Sequence, residues 1–169
     1  MVFELSQMGD VKFFGSLLPA HVSLKQTFTF ESMDTLETWF DSLSRRVAPF
    51  RIELDHVYYD EWDDVAIVGF GVKETAILRN LHDQVNHELK DVVLDPSAPY
   101  DGDAYRFHLT IELGKVGETN PFKLFHDSLS NKQVGLSFVA EHLALFLYAD
   151  GPIEAGSFIC YKILPLTGK

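Results

Sequence analysis

The chain has 169 residues, of which 46% are hydrophobic and 23% charged, and its formal net charge is −11. This length suits one compact domain or two closely joined lobes with a hydrophobic core, and the composition excludes a disordered or fibrous chain. Its longest apolar stretches, such as 143–149, are far shorter than the roughly 20 residues that cross a bilayer, and the N-terminus lacks the pattern of a secretion signal. We therefore expect a cytoplasmic protein without membrane contact.

Negative charge is concentrated in the first part of the chain. Residues 1–103 contain 8 basic and 19 acidic side chains, whereas residues 104–169 contain 6 of each. The densest acidic run, from Glu53 to Asp64, has six carboxylates and no Lys or Arg. We interpret this run as a solvated strand and turn, with cation binding as the alternative. Because such a surface repels a polyphosphate backbone, long nucleic acid is not expected as a partner.

The cysteine and most histidines give no sign of a metal or redox site. The single cysteine, Cys160, lies in an apolar stretch and is predicted to be a small core residue in a reducing compartment. His82 and His87 are five residues apart on a predicted helix, unlike the i,i+4 pair of a zinc helix, and are expected at the surface. Three further histidines lack ligand spacing, and the last of them is expected to be structural: His56, His126 and His142. No metal or cofactor is therefore predicted.

The first half of the chain predicts a strand, a helix and two more strands. From 21 to 30 apolar and polar residues alternate, which is typical of a strand with one polar face. Apolar residues then recur every three or four positions from Met33 to Val47, which predicts an amphipathic helix with Asp34 and Glu37 as a capping pair. Strands are expected near 50–60 and 64–72, a second helix through 78–89, and a polar loop over 91–103.

The second half repeats this order. Residues 106–113 alternate in the same way, and Asn120 followed by Pro121 has the residue types of a helix cap and first helical position. Two strands are expected near 135–148 and 156–164, around a turn at 150–152. The repetition predicts an α+β fold with two pseudo-symmetric strand-helix-strand-strand units whose antiparallel sheets flank a central cleft. We expect a single bilobal domain over 1–169, with halves at about 18–72 and 105–165.

Two copies of one tetrapeptide open these halves. His21-Val22-Ser23-Leu24 and His108-Leu109-Thr110-Ile111 both read histidine, apolar, hydroxyl, apolar. Residues i and i+2 of a strand point to the same face, so each histidine stands beside its own hydroxyl. Two imidazoles in one cleft suit phosphoryl transfer, in which one takes a proton from the attacking oxygen and the other gives one to the leaving oxygen. The hydroxyls of Ser23 and Thr110 would bind the non-bridging phosphate oxygens.

The paired motifs in HVSLKQTF and FHLTIEL, the first preceded by Leu18-Pro19-Ala20, resemble the two H-x-[ST]-x signatures of the 2H phosphoesterase superfamily. That superfamily includes 2′-5′ RNA ligase-like proteins and cyclic nucleotide phosphodiesterases. The resemblance covers most of the chain and departs from the usual pattern at Ser23, where Thr is more common. It implies a bilobal α+β fold, His21 and His108 as the acid–base pair, Ser23 and Thr110 as phosphate ligands, and no required metal.

Four further residues are predicted to contact a substrate. Lys25 and Arg106 share the polar strand faces with the histidines and would supply local positive charge to a phosphate. The alternative for both is an exposed position at the rim of a strand. Tyr105 and Tyr148 are the aromatic residues near the motifs that retain a polar group, and we expect them to stack on a base in the cleft.

These residues predict a metal-independent phosphodiesterase that acts on a 2′,3′-cyclic phosphate or a 2′-linked phosphodiester. The substrate is expected to be a nucleotide or a short oligonucleotide, because the chain is acidic. Either histidine can be the base, since the roles exchange with the direction of the reaction. The alternatives are a 2′-5′ RNA ligase, which the acidity disfavours, and a non-catalytic nucleotide-binding protein, which would not need a matched acid and base. A metal hydrolase would need a ligand cluster that the sequence lacks.

Overall fold

The computed structural model describes residues 20–62, 65–94, 101–115, 120–129, 134–148 and 158–169. Within these ranges the chain forms three helices and six strands. In chain order they are α1 (Met33–Arg46), β1 (Phe50–Trp62), β2 (Val65–Val72), α2 (Ala76–Leu89), β3 (His108–Lys115), α3 (Pro121–Leu129), β4 (Leu136–Ala140), β5 (His142–Tyr148) and β6 (Phe158–Pro165). None of the described helices is long and apolar enough to cross a membrane.

Polar caps set the starts of the helices. Ser32 caps α1 by accepting a hydrogen bond from the backbone N–H of Thr35, so the predicted Asp34–Glu37 capping pair is wrong by two residues. Thr75 caps α2 in the same way. Asn120 caps α3 as predicted, with its side-chain oxygen 3.0 Å from the backbone nitrogen of Lys123. Each cap satisfies a backbone donor that has no partner inside the helix.

The strands form two antiparallel sheets. Four strands lie in the order β3-β2-β1-β4, and β5 pairs with β6 in a second sheet. The α+β class with antiparallel sheets is therefore confirmed. The larger sheet takes β1 and β2 from the first predicted half and β3 and β4 from the second. The division into pseudo-repeat halves stays a prediction.

Two predicted strands differ from the structure. The segment 21–30 forms no continuous strand, because it contributes only two isolated bridges, Val22 with Leu109 and Phe30 with Val93. The predicted strand 135–148 is divided at Glu141 into β4 and β5, which belong to different sheets. The expected turn at 150–152 and residues 95–100 of the expected loop lie outside the described residues. Cys160 is only partly buried in β6.

The hydrophobic core has two parts. One lies on the face of the larger sheet that α3 covers, where Phe122 is fully buried against Val68 and Val57. The other packs α1 and α2 against the smaller sheet through residues such as Leu36, Leu81, Leu143 and Leu145. The helices therefore leave the second face of the larger sheet available for polar residues.

A carboxylate on α2 joins the two longer helices. Glu88 accepts two hydrogen bonds of 2.7 Å from the Arg46 guanidinium at the end of α1, and further bonds from Trp39 and Gln84. The Arg46 hydrogen bonds are the main reason that the pKa of Glu88 falls to about 2. The charged form of Glu88 therefore stabilises the contact between α1 and α2.

The substitution Glu88→Gln is expected to lower the free energy of unfolding at pH 7 by on the order of 2 kcal/mol. This value is smaller than the full effect of the pKa shift because Arg46 is partly exposed to solvent. A carboxylate with a lowered pKa stabilises the fold above its unfolded pKa of about 4.3 and loses that effect as the pH falls toward 2. The difference from wild type, measured by urea unfolding between pH 3 and 7.5, should therefore shrink on acidification. The exposed Glu31→Gln serves as control, and a difference that does not change with pH would contradict the assignment.

Candidate active site

The two sequence motifs meet at one antiparallel bridge. Val22 of the first motif pairs with Leu109 of the second. Around such a bridge, the residue before one partner lies across from the residue after the other, so His21 lies opposite Thr110 and Ser23 opposite His108. Because side chains alternate between the faces of paired strands, we expect these four on the face away from Val22 and Leu109, which pack with the core. Opposed residues of this kind have Cβ atoms about 4.5–5.5 Å apart.

A hydrogen bond and a stacked ring orient the imidazole of His108. Its Nδ1 donates to the backbone carbonyl of Arg106 at 3.0 Å, so Nε2 is the nitrogen that remains for other chemistry. The ring of Tyr58 stacks on it with centroids 4.6 Å apart and planes 7° from parallel. Burial and the Asp60 carboxylate, to which the Tyr58 hydroxyl donates, raise the pKa of Tyr58 to about 12. Tyr58 is therefore a neutral, fixed aromatic surface behind His108.

Two glycines in β2 allow this stack. Tyr58 lies on β1 and His108 on β3, two strands apart, which is about 10 Å in a sheet. Gly69 pairs with Tyr58 on one side and Thr110 on the other, and Gly71 pairs with His56 and His108. The ring of His56 lies over Gly71, and the ring of Tyr58 reaches across β2 to stack on His108. The sequence analysis missed Tyr58, although glycine at alternate positions of an apolar strand signals such a close approach.

The other histidine, His21, lies against the smaller sheet. Its ring is 5.0 Å from that of Phe146 on β5 and is partly buried. Tyr148 follows Phe146 by two residues, so it lies on the same face of β5, and its ring stacks on Phe158 at 4.9 Å. His21 thus contacts one sheet while its backbone neighbour Val22 joins the other. A stacking role of Tyr148 toward a base stays a prediction.

Lys25 does not offer its charge to the site. Its side chain is 5% exposed, and its ammonium donates to Asp101 at 2.5 Å and to Asn86 at 2.8 Å. Neither expectation for this residue, a substrate contact or an exposed rim position, describes this buried ion pair. The positive charge of Lys25 is neutralised inside the protein, which corrects the sequence-based interpretation.

Tyr105 and His82 also lie in the interior rather than at an open surface. Tyr105 is 8% exposed, its hydroxyl donates to the carbonyl of Ser23 at 3.1 Å, and its burial raises its pKa above the ordinary range. His82, predicted at the surface, is fully buried and stacks on Tyr105 with centroids 4.3 Å apart. The predicted exposed position of His82 is therefore wrong, whereas His87 is exposed as expected. A periodicity analysis of α2 could not reveal a polar side chain that is buried because it is hydrogen-bonded.

A depression of about 430 Å³ lies next to Tyr58, the residue that stacks on His108, and none of the four motif residues lines it. Its lining includes Tyr58, Arg106 and His56, with Phe107 and Val72 among the apolar residues. Arg106 is exposed there, and its contact with a substrate stays a prediction. His56, which the sequence analysis left without a role, lies on the same sheet face as Tyr58 and next to Asp55. Within the described ranges, no three His, Cys, Asp or Glu side chains are grouped so that they could hold a metal ion.

Comparisons with known proteins agree with this architecture. The structure resembles TT0787 of Thermus thermophilus with a TM-score of 0.67 and 16% identity, over 99% of this chain and 88% of that one. It resembles Usb1 of Kluyveromyces marxianus with a TM-score of 0.56 and 13% identity, over 98% and 84%. Usb1 with uridine monophosphate gives 0.51 and 14%, over 98% and 85%. No curated protein sequence matches this chain.

The antiparallel α+β fold and the paired histidine–hydroxyl motifs resemble those of the two-histidine phosphoesterases. Residues 14–152 match the family model of the 2′-5′ RNA ligase superfamily. The chain belongs to this superfamily of 2H phosphoesterases and is a phosphoesterase or ligase-like enzyme.

The two glycines of β2 are expected to differ in their tolerance of alanine. A Cβ at Gly69 would overlap the backbone carbonyl of Leu109, so Gly69→Ala should lower the free energy of unfolding by about 3 kcal/mol, the upper range for overpacking. A Cβ at Gly71 would instead meet the ring of His56, a side chain that can turn away. Urea unfolding should show a smaller loss for Gly71→Ala, relieved by adding His56→Ala. Equal losses in the two single variants would contradict this geometry.

The stack behind His108 can be tested without any substrate. The ring current of Tyr58 shields the ring protons of His108, so Tyr58→Ala should move their NMR signals downfield. The free energy of unfolding should fall by about 1 kcal/mol, the usual contribution of an aromatic pair. Tyr58→Phe keeps the ring and loses only the hydroxyl, so it should leave those signals nearly unchanged. The signals of the distant His87 are the internal reference. Similar spectra for wild type and Tyr58→Ala would show that the rings are not stacked in solution.

Proposed function

We propose that this protein is a metal-independent phosphodiesterase that hydrolyses a 2′,3′-cyclic phosphate or a 2′-linked phosphodiester by two-histidine acid–base catalysis. The antiparallel bridge between Val22 and Leu109 is the observation that carries the proposal. It gives each histidine the hydroxyl residue of the opposite motif as its neighbour across the strands. Two imidazoles supply the proton acceptor and the proton donor that the reaction needs, and the hydroxyls bind the phosphate between them.

The proposed reaction is an in-line displacement at phosphorus. One neutral histidine takes a proton from water as the water oxygen forms its bond to phosphorus. The bond from phosphorus to the ribose 2′ or 3′ oxygen breaks, and the second, protonated histidine gives its proton to that oxygen. The products are a phosphomonoester and a free ribose hydroxyl, and the two histidines have exchanged protonation states. Hydroxyl groups of Ser23 and Thr110 would bind the non-bridging oxygens as their negative charge increases.

Charge supports a small substrate. The chain carries a net charge of −11, and Lys25 is neutralised by Asp101. Among the predicted phosphate-binding cations, Arg106 is exposed beside His108 and would have to serve alone. A nucleotide or short oligonucleotide places few phosphates against this acidic surface, whereas a long RNA places many. The solved Usb1 structure with uridine monophosphate supports a nucleotide as the substrate class.

A 2′-5′ RNA ligase is the second candidate, and the family match favours it. Ligation uses the same groups, with the hydroxyl of a second RNA end attacking phosphorus in place of water. It requires two RNA ends in the site at once, which the acidic surface opposes more strongly than one small substrate.

The test is turnover by purified protein, with excess chelator, of nucleoside 2′,3′-cyclic phosphates, 2′-5′ dinucleotides and RNA ends carrying a 2′,3′-cyclic phosphate and a 5′ hydroxyl. His21→Ala and His108→Ala should each lower kcat by about 10²–10⁴-fold, the usual contribution of general acid–base catalysis. In a bell-shaped pH profile, the variant of the base should lose one limb and the variant of the acid the other. His87→Ala, which changes an exposed histidine on α2, is the matched control.

Each outcome of this assay is informative. Joined RNA without hydrolysis would establish the ligase candidate instead. Turnover abolished by chelator and restored by a divalent ion would contradict the metal-independent reaction. No turnover of any substrate, together with nucleotide binding that survives both histidine variants, would identify a non-catalytic nucleotide-binding protein.

A further inference from the structure

Side chains, rather than a strand ladder, hold the backbone that follows the first motif. After the Val22 bridge, the carbonyl of Ser23 accepts from the Tyr105 hydroxyl at 3.1 Å, and the carbonyl of Leu24 accepts from His82 Nδ1 at 2.7 Å. The backbone N–H of Gln26 donates to Asp101 Oδ1 at 3.2 Å. Three backbone groups within four residues are therefore bound by side chains from elsewhere in the chain. This is where a continuous strand was predicted and is not formed.

The partners of this segment come from two places. His82 and Asn86 lie on α2, whereas Asp101 and Tyr105 lie directly before β3 and therefore before His108. The buried ammonium of Lys25 joins them, since it donates to both Asn86 and Asp101. We call these five residues the interlock: Lys25, His82, Asn86, Asp101 and Tyr105. It connects the chain just after the first motif to the chain just before the second.

His82 lies at the centre of the interlock. Its Nδ1 donates to the carbonyl of Leu24, and its Nε2 accepts from the backbone N–H of Gly102 at 3.0 Å. One nitrogen that donates and one that accepts require the neutral imidazole, because an imidazolium donates from both nitrogens. The side chain is fully buried and packs on Tyr105, so Leu24 of the first motif and Gly102, ahead of the second motif, are bonded to the same ring.

We propose that the interlock sets the spacing between the His21 and His108 segments, and that Lys25, His82 and Tyr105 are positioning residues for the reaction. The catalytic part of this inference rests on the proposed function, whereas the spacing itself does not. A phosphate held between two histidines reacts only when both are within hydrogen-bond reach of their oxygens. Misplacement by about 1 Å is enough to lower a rate by 10²-fold. A single isolated bridge gives the first motif little support of its own, so the side-chain contacts supply it.

Tyr105→Phe is the most conservative test, because it removes the bond to Ser23 and keeps the ring that packs on His82. We expect kcat to fall about tenfold with a smaller change in KM, since the segment of His21 and Ser23 moves while Thr110 and Arg106 keep their places. The matched control is Tyr161→Phe on β6, which removes a hydroxyl that donates to Glu37 on α1 and takes no part in the interlock. Rates are compared at 25 °C among those variants that urea unfolding shows to be fully folded at that temperature.

A charge-removal series gives a second test of the interlock. Lys25→Met leaves the buried Asp101 carboxylate without its cation, so its kcat should fall further than that of Tyr105→Phe. Adding Asp101→Asn removes the unpaired charge and retains an oxygen for Gln26, so the double variant should recover part of the lost kcat. A double variant that is no better than Lys25→Met would contradict the role of this ion pair.

Backbone amide hydrogen exchange tests the spacing without any assay of activity. In Tyr105→Phe and Lys25→Met, amides at residues 22–24 and at Leu109 should exchange about tenfold faster than in wild type. Amides of the β1–β2 pair should change much less, because none of the interlock's hydrogen bonds goes to these strands. Exchange and kcat both equal to wild type would overturn the inference, as would lower stability with an unchanged kcat. If wild type turns over no substrate, the proposed function fails and the exchange rates alone decide the inference.

Discussion

The antiparallel pairing of Val22 with Leu109 is the contact on which the site depends. It joins residues 87 positions apart in the chain, and it turns two copies of a strand pattern into one four-residue group. Side chains of a strand point alternately to its two faces. Because apolar Val22 and Leu109 pack with the core, the histidines and hydroxyls next to them are expected on the opposite face. A slip of the first segment by one residue would send its two polar side chains to the other face, while His108 and Thr110 stay fixed by the pairing of β3 with β2. Such a slip would bury Val22's neighbours His21 and Ser23 in apolar surroundings, which is costly for polar groups.

The sheet face near that contact depends on two positions of β2 that carry no side chain. Gly69 and Gly71 leave room above the strand: the ring of His56 lies over Gly71, and the ring of Tyr58 from β1 stacks on His108 of β3. The cost falls on local packing, since glycine adds flexibility to a strand and contributes no side chain to a core. The remaining residues of β2 are almost all buried, which keeps the strand in place between its two neighbours. Rigidity from the neighbours therefore compensates for the two glycines.

Sequence patterns predicted the helices and most strands, because these depend on local periodicity, whereas the roles of the four motif residues stay a prediction. They failed where the outcome depends on a distant partner. Residues 21–30 alternate like a strand, yet side chains from α2 and from 101–105 take the place of a neighbouring strand. Lys25 and His82 look like surface residues in sequence, and only the presence of Asp101, Leu24 and Gly102 makes their burial possible. Tyr58 became part of the site through two glycines on another strand.

The burial of Lys25 also affects which positive charges can attract a phosphate. A chain with a net charge of −11 would be expected to reserve its cations near the motifs for a phosphate. Instead, the cation closest in sequence to the first motif is buried beside Asp101, where an ion pair of this kind orders the chain more than it attracts a ligand. A phosphate in this site would then be bound chiefly by directed hydrogen bonds from imidazole and hydroxyl groups, which act at short range and are little screened by salt. Affinity would depend on geometry rather than on attraction from a distance, so the precision of the contacts between the two motifs matters more here than the sign of the surface around them.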